Sequence, residues 1–191
     1  MLTNFQKEKI SHYFGTVMDQ DRNGVLEKED FRRIGESLCT LWGYKPDTLE
    51  YDRVIANNLK SWKTFKSYFK DKNAVANEEQ FIHFFEKMLA PGSKKLYKKF
   101  VLNMVSSLFD AFDANEDGVI SIDEYSDMFL CYHIPIKYSA KAFVKLDQNG
   151  DGHITRKELA CAINEFFRSN NEKSPGNCLF GFWADNDSLS L

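Results

Sequence analysis

Oxygen-bearing side chains recur at fixed intervals in two stretches of this 191-residue chain. One runs Asp113, Asn115, Asp117, Gly118, Val119, Ile120, Ser121 and Glu124, and the other Asp147, Asn149, Asp151, Gly152, His153, Ile154, Thr155 and Glu158. Alternate side chains at the first, third and fifth positions of a curling loop converge on one point. A hard cation such as Ca2+ takes about six to eight oxygens there. Both stretches match D-x-[DN]-x-[DN]-G-x5-E in full. The sixth position turns sharply, which suits Gly118 and Gly152. The backbone carbonyls of Val119 and His153 serve the seventh position, whatever their side chains. Ser121 and Thr155 hold the ninth position through a water. Glu124 and Glu158 close each loop with two oxygens. Ile120 and Ile154, at the eighth position, are expected to pair in a short antiparallel ladder.

A third loop reads Asp19, Asp21, Asn23, Gly24, Val25 and Asp30. Its twelfth residue is Asp, one methylene shorter than Glu. A shorter side chain lowers the coordination number towards the six that Mg2+ demands, so Mg2+ is expected to contest Ca2+ at this first site. A fourth register ends at Phe81, which corresponds to Phe31, Tyr125 and Leu159 after the other loops. Counting back places Phe69 first and Ala74 at the glycine position. Residues 71–80 have therefore lost their ligands and are expected to serve only as a pairing partner for residues 19–30.

Helices must flank each loop. Apolar residues at helical spacing predict helices over 4–18, 28–41, 78–89, 94–112, 122–132, 139–146 and 156–169, with a long one from a cap at Asp47 or Thr48 to about residue 70. In the helix over 94–112, the stripe Leu96, Phe100, Met104, Leu108 and Phe112 is expected to face the core. Its exposed lysines, Lys94, Lys95, Lys98 and Lys99, read as a solvated face. Pro91-Gly92 divides the chain. The expected fold is all-α, with loop–helix pairs in residues 1–90 and 91–170 and a tail over 171–191. The tail carries Cys178-Leu-Phe-Gly-Phe-Trp183. An apolar knot of that size loses several kcal/mol if left in water, at about 1.5–3 per large side chain. It is expected to fold back on the body.

Composition narrows the function classes. A net charge of −3 gives no case for nucleic acid. No apolar run approaches the ~20 residues of a membrane span, and the N-terminus lacks a signal peptide's apolar stretch. Cys39, Cys131, Cys161 and Cys178 have no disulfide-like spacing, which fits reduced thiols and a cytoplasmic setting. His12, His83, His133 and His153 share no motif, and the acidic residues are used by the loops, so no enzyme is expected. Seventeen Phe against five Met favours a rigid core over an adaptable target-binding groove. Three divalent ions would carry the charge from −3 to +3, which leaves room for a Ca2+-dependent membrane or protein partner. A monomer is expected.

The chain resembles the sarcoplasmic calcium-binding protein and calexcitin family of invertebrates over nearly its whole length. The resemblance rests on Asn4-Phe5-Gln6-Lys7-Glu8-Lys9-Ile10, on the first loop ending in Asp30-Phe31 and on the decayed second loop. It rests also on Tyr132-His133-Ile134-Pro135 and on Gly176-Asn177-Cys178-Leu179-Phe180-Gly181. It implies four EF-hands, with the first, third and fourth binding metal, and a tail packed into the core. The implied function is a Ca2+ buffer or a Ca2+-dependent signal modulator. The alternative is a coelenterazine- or luciferin-type carrier of a hydrophobic ligand, since such proteins share the body plan. Light emission is disfavoured, because residues 156–169 have no His and no Tyr follows Tyr138. Phe182-Trp183 and the residues beyond extend past the family's usual finish.

Overall fold

The structure, a computed structural model, describes residues 1–67 and 76–182. Its helices are α1 (Asn4–Tyr13), α2 (Lys28–Trp42), α3 (Leu49–Lys66), α4 (Glu78–Leu89), α5 (Lys94–Phe112), α6 (Ile122–Cys131), α7 (Ser139–Leu146) and α8 (Arg156–Arg168). Among the described residues, four two-residue strands, β1 (Val25–Leu26), β2 (Ala76–Asn77), β3 (Val119–Ile120) and β4 (Ile154–Thr155), form two antiparallel ladders. Leu26 pairs with Ala76, and Ile120 with Ile154. These are the eighth positions of all four loops, so the loops meet in twos, in the expected register. The proposed first and sixth positions of the second loop, Phe69 and Ala74, lie outside the described residues, as do Trp183 and the residues after it.

One sequence device starts all four exit helices. Asp30, Gln80, Glu124 and Glu158 each stand three residues past an N-cap and bond back to the cap's backbone N–H. The twelfth loop position and the third residue of a capping box are thus the same residue.

Two helical expectations need correcting. The first helix does not run evenly from 4 to 18. After Tyr13 the chain passes into a π-turn over Phe14–Met18, and the Asp19 N–H bonds five residues back to the Phe14 carbonyl at 2.8 Å. In the third and fourth hands the equivalent N–H reaches four residues back, Asp113 to Phe109 and Asp147 to Phe143. The carbonyl of a buried Phe accepts in all three cases, and the first hand has one residue more between that Phe and its Asp. A π-turn absorbs such an insertion without moving either end.

The second correction concerns α5. Leu108 and Phe112 are buried, but Leu96 is exposed and Phe100 and Met104 are half-buried. The buried face is Tyr97, Val101, Val105, Leu108, Phe109 and Phe112. One residue is 100° of rotation. The helix packs on α4, α6 and α8 together, and that enclosure sets which way it turns.

The core is built largely from rings. Phe85 and Phe167 stack at 4.6 Å, and Tyr13 meets Phe81, Phe166, Phe167 and Phe180 at 4.8–6.2 Å. Cys178, Leu179 and Phe180 are buried, in a strap that crosses α8 and α7. Close approach at each end of the strap requires glycine. A Cβ on Gly176 would lie 2.4 Å from the Ala162 carbonyl oxygen, and one on Gly181 would lie 2.7 Å from Ile134.

Helix α1 clasps this strap with two side chains that composition hides. Lys9 is fully buried, and its ammonium donates to the Glu165 and Ser169 carbonyls and to Asn177 Oδ1 at 2.8–3.2 Å. All three of its protons are used. Burial lowers its pKa to about 8, against the opposing pull of Glu165. His12 Nε2 donates to the Phe180 carbonyl at 2.7 Å, and its Nδ1 accepts from Thr16 Oγ1. The neutral Nε2–H form matches both partners.

Burial lowers the His12 pKa from 6.5, although the Phe180 bond opposes this. Below pH 6.5 the unfolded chain therefore takes up this proton before the folded chain does. Stability present above that pH is lost as pH falls towards the folded value. In urea unfolding at fixed Ca2+, the wild-type midpoint should drop faster below pH 6.5 than that of His12→Gln. Parallel profiles for the two proteins would remove the contribution assigned to His12.

Candidate metal centres

Each complete loop is wound by the carboxylates and amides that would face an ion. In the first, Asp19 accepts from the N–H of Asn23 and Gly24, and Asn23 Oδ1 accepts from the Val25 N–H. In the third, Asp113 accepts from Asp117 and Gly118, and Asp117 from Val119. In the fourth, Asp147 accepts from Gly150, Asp151 and Gly152, and Asp151 from His153. Asp21, Asn115 and Asn149 each add a bond to the N–H two residues on. The sixth-position glycines have φ of +82° to +86°. The fourth position is left-handed as well, and there Arg22 and Glu116 adopt φ of +57° without being glycine. Such a residue costs about 1–2 kcal/mol, a demand the sequence pattern did not reveal.

The closing residues share one geometry. Glu124 accepts from the N–H of Ala114 and of Ser121, at 3.0 and 2.8 Å. Glu158 accepts from Gln148 and Thr155, at 3.1 and 2.9 Å. Asp30 accepts from Gln20 and Glu27, at 3.0 and 2.7 Å. These are the second and ninth positions of each loop. The shorter Asp reaches the same two donors. Asp19, Asp21 and Asp30 each offer a carboxylate oxygen, all within 4.8 Å of one another. Asp30 is fully buried and Asp19 nearly so, whereas Asp113 and Asp147 are half-buried.

Electrostatics follow from that difference. Burial raises the Asp30 pKa, with Asp21 and Asp19 adding to the rise, and its two backbone donors do not offset this. Burial also acts on Glu158, but the donors from Thr155, Asn149 and Gln148 outweigh it and its pKa is lowered. Three carboxylates gathered around buried oxygens suit a small dication, which removes their mutual repulsion. The donor sets are all oxygen, as a hard cation requires. Ser121 and Thr155 present their hydroxyls to Glu124 and Glu158 at 2.8 and 2.7 Å.

Sequence reasoning overlooked the residues that connect the loops to the rest of the body. Lys9 and His12 are two, and the third is Tyr125, whose hydroxyl donates to the Leu179 carbonyl at 2.9 Å. One signal was available. Phe5, Lys9 and Tyr13 are spaced by four, which places a lysine on an otherwise apolar face.

Comparison with known proteins agrees with the third and fourth loops. The EF hand family model matches residues 104–130 and 140–160. Calerythrin of Saccharopolyspora erythraea is 24% identical over 168 residues, covering 87% of this chain and 94% of its own. Sarcoplasmic calcium-binding proteins I, III and IV of Branchiostoma lanceolatum are 23% identical over 72% of this chain and 78% of theirs. A solved amphioxus sarcoplasmic calcium-binding protein superposes with a TM-score of 0.72 at 19% identity, over 95% of this chain and 99% of that one. The Ca-loaded apo form of coelenterazine-binding protein from Renilla muelleri gives 0.77 at 17% identity, over 94% and 99%. The two structures establish likeness of fold.

Proposed function

We propose that this chain, an EF-hand calcium-binding protein with calerythrin and the amphioxus sarcoplasmic calcium-binding proteins among its relatives, holds three divalent ions and acts as a Ca2+ buffer. The first site would use Asp19, Asp21, Asn23, the Val25 carbonyl and Asp30. The third loop would use Asp113, Asn115, Asp117, the Val119 carbonyl, Ser121 and Glu124. The fourth would use Asp147, Asn149, Asp151, the His153 carbonyl, Thr155 and Glu158. The observation that carries this reading is the common geometry of Asp30, Glu124 and Glu158 against the second and ninth backbone donors of their loops. The halves 1–90 and 91–170, with residues from 171 as a strap, are the working units of the proposal.

Buffering is favoured over sensing because most of the Phe side chains pack into the core, although Leu49, Leu102 and Val144 are exposed. The rings at the centre pack on one another, Phe85 on Phe167 at 4.6 Å and Tyr13 on Phe180 at 4.8 Å. No helix among the described residues is long and apolar enough to cross a membrane. A monomeric cytoplasmic protein without catalytic activity completes the proposal. A large Ca2+-dependent rise in vesicle or dye binding would replace the buffer with a sensor. Absorbance from a co-purified small molecule would point to the carrier.

Asp30 makes the first site the one that Mg2+ contests. Calorimetric Ca2+ titration should give three sites, one of them weakened by Mg2+. Asp30→Glu should add reach and lower that Mg2+ sensitivity on the order of tenfold, since ligand count sets the selectivity. Two or four sites, or a first site indifferent to Mg2+ before and after the substitution, would refute the assignment.

A further inference from the structure

The strap joins two of the proposed sites through consecutive residues. On one side, Tyr125 directly follows Glu124, the closing residue of the third loop. Its buried hydroxyl donates to the Leu179 carbonyl at 2.9 Å. On the other, the next carbonyl, Phe180, accepts from His12 Nε2 at 2.7 Å. His12 lies on α1, and Thr16, inside the π-turn, donates to its Nδ1 at 3.3 Å. That turn ends at Asp19, the first residue of the first loop. Between Tyr125 and α1 there are thus two hydrogen bonds and two successive peptide carbonyls. The path is held rigidly. Gly176 and Gly181 leave the strap no room to shift, and the Phe180 ring lies 4.8 Å from Tyr13 and 5.2 Å from Phe166. The Tyr125 ring is packed on Phe129 and Phe143 at 5.1 and 5.9 Å, so its hydroxyl cannot swing to another partner without repacking.

We propose that Leu179 and Phe180 couple the third loop to the first, so that an ion at one changes the affinity of the other across the two halves of the molecule. This rests on the reading that both loops take an ion. An ion in the third loop draws on the carboxylate of Glu124, in the first turn of α6, which now accepts from the loop N–H groups of Ala114 and Ser121. Tyr125 is in that same turn. Whatever α6 does there is passed to the strap at Leu179 and to α1 at Phe180. By reciprocity the first loop acts back on the third with the same free energy. A second contact between the halves, from Cys131 Sγ to the Ile34 carbonyl at 3.7 Å, joins α6 to α2 without the strap and serves as a control.

The full chain reports each loop separately through the amide signals of Gly24, Gly118 and Gly152 in 15N-resolved NMR during Ca2+ titration. Glu124→Gln disables the third loop, and it should weaken Ca2+ at Gly24 by about 5–20-fold, a usual size for coupling between sites. In a Tyr125→Phe background, which removes one hydroxyl, the same change should weaken Gly24 by less than about twofold. A Cys131→Ala background should leave the coupling intact. If Tyr125→Phe does not fold, His12→Phe cuts the second link and should abolish the coupling in the same way. An equal effect of Glu124→Gln with and without the link, or none in the wild type, overturns the proposal. A Gly24 signal that Ca2+ never moves, with Gly118 and Gly152 responding, overturns instead the three-site reading and the coupling with it.

Discussion

Phe180→Ala lowers the stability of the folded chain by about 3–5 kcal/mol, the range for removing a fully buried aromatic ring. The ring is inaccessible to solvent and lies between Tyr13 of α1 and Phe166 of α8. Neither neighbour can collapse into the space. Tyr13 is also packed against Phe81 and Phe167, and Phe166 against Phe167. The cavity term therefore adds to the lost transfer energy. The loss should appear as a lower urea midpoint with an unchanged slope, and as a fall in Tm of about 2–4 °C per kcal/mol for a chain of this size. Phe180→Leu should recover roughly half, because most of the volume returns. A loss below about 1 kcal/mol would mean that the strap does not hold this position in solution, and that the clasp by Lys9 and His12 is not maintained.

Removing divalent ions should be larger still. An ion that binds only the folded form adds RT ln(1 + [L]/Kd), about 4 kcal/mol per site at a thousandfold excess over Kd. Three sites together would contribute on the order of 12 kcal/mol, so a chelator should lower Tm by tens of degrees. The first loop sharpens the expectation. Without a cation, Asp19, Asp21 and Asp30 keep carboxylate oxygens within 4.8 Å of one another, with Asp30 fully buried. Stability without ions should therefore rise with modest salt or with a neutral residue at Asp21, while the ion-loaded form responds in the opposite direction to that substitution. Differential scanning with Ca2+, with Mg2+ and with chelator would separate the contributions. A fall of less than about 5 °C on chelation would contradict three filled sites.

The pattern Asp-x-Asn-x-Asp-Gly ahead of Glu124 and Glu158 was sufficient to locate two loops, and the same logic located the loop closed by Asp30. These residues act on each other within twelve positions of chain, and the closing carboxylate also starts the next helix as its capping residue. Local sequence therefore determines the winding of each loop, the start of each exit helix and, through the eighth-position apolar residues, the pairing of loops in twos.

What only the tertiary structure decided lies where distant segments meet. Spacing gave α5 an apolar stripe through Leu96, but three packed neighbours turned the helix to bury Tyr97, Val101 and Val105 instead. A helix with apolar residues on several faces has no preferred rotation until something encloses it. The extra residue before Asp19 could become a bulge, a shifted loop or a longer helix. Holding both Phe14 in the core and Asp19 in the loop leaves the π-turn. Lys9 stands on an otherwise apolar face in sequence, and it is buried because the end of α8 and Asn177 supply three acceptors from more than 150 residues away. The sequence by itself thus determined the oxygen-rich composition and the winding of the loops, which are local. The tertiary structure decided the clasp of α1 on the strap and the link from Tyr125 to His12, because those bonds exist only once the two ends of the chain are packed together.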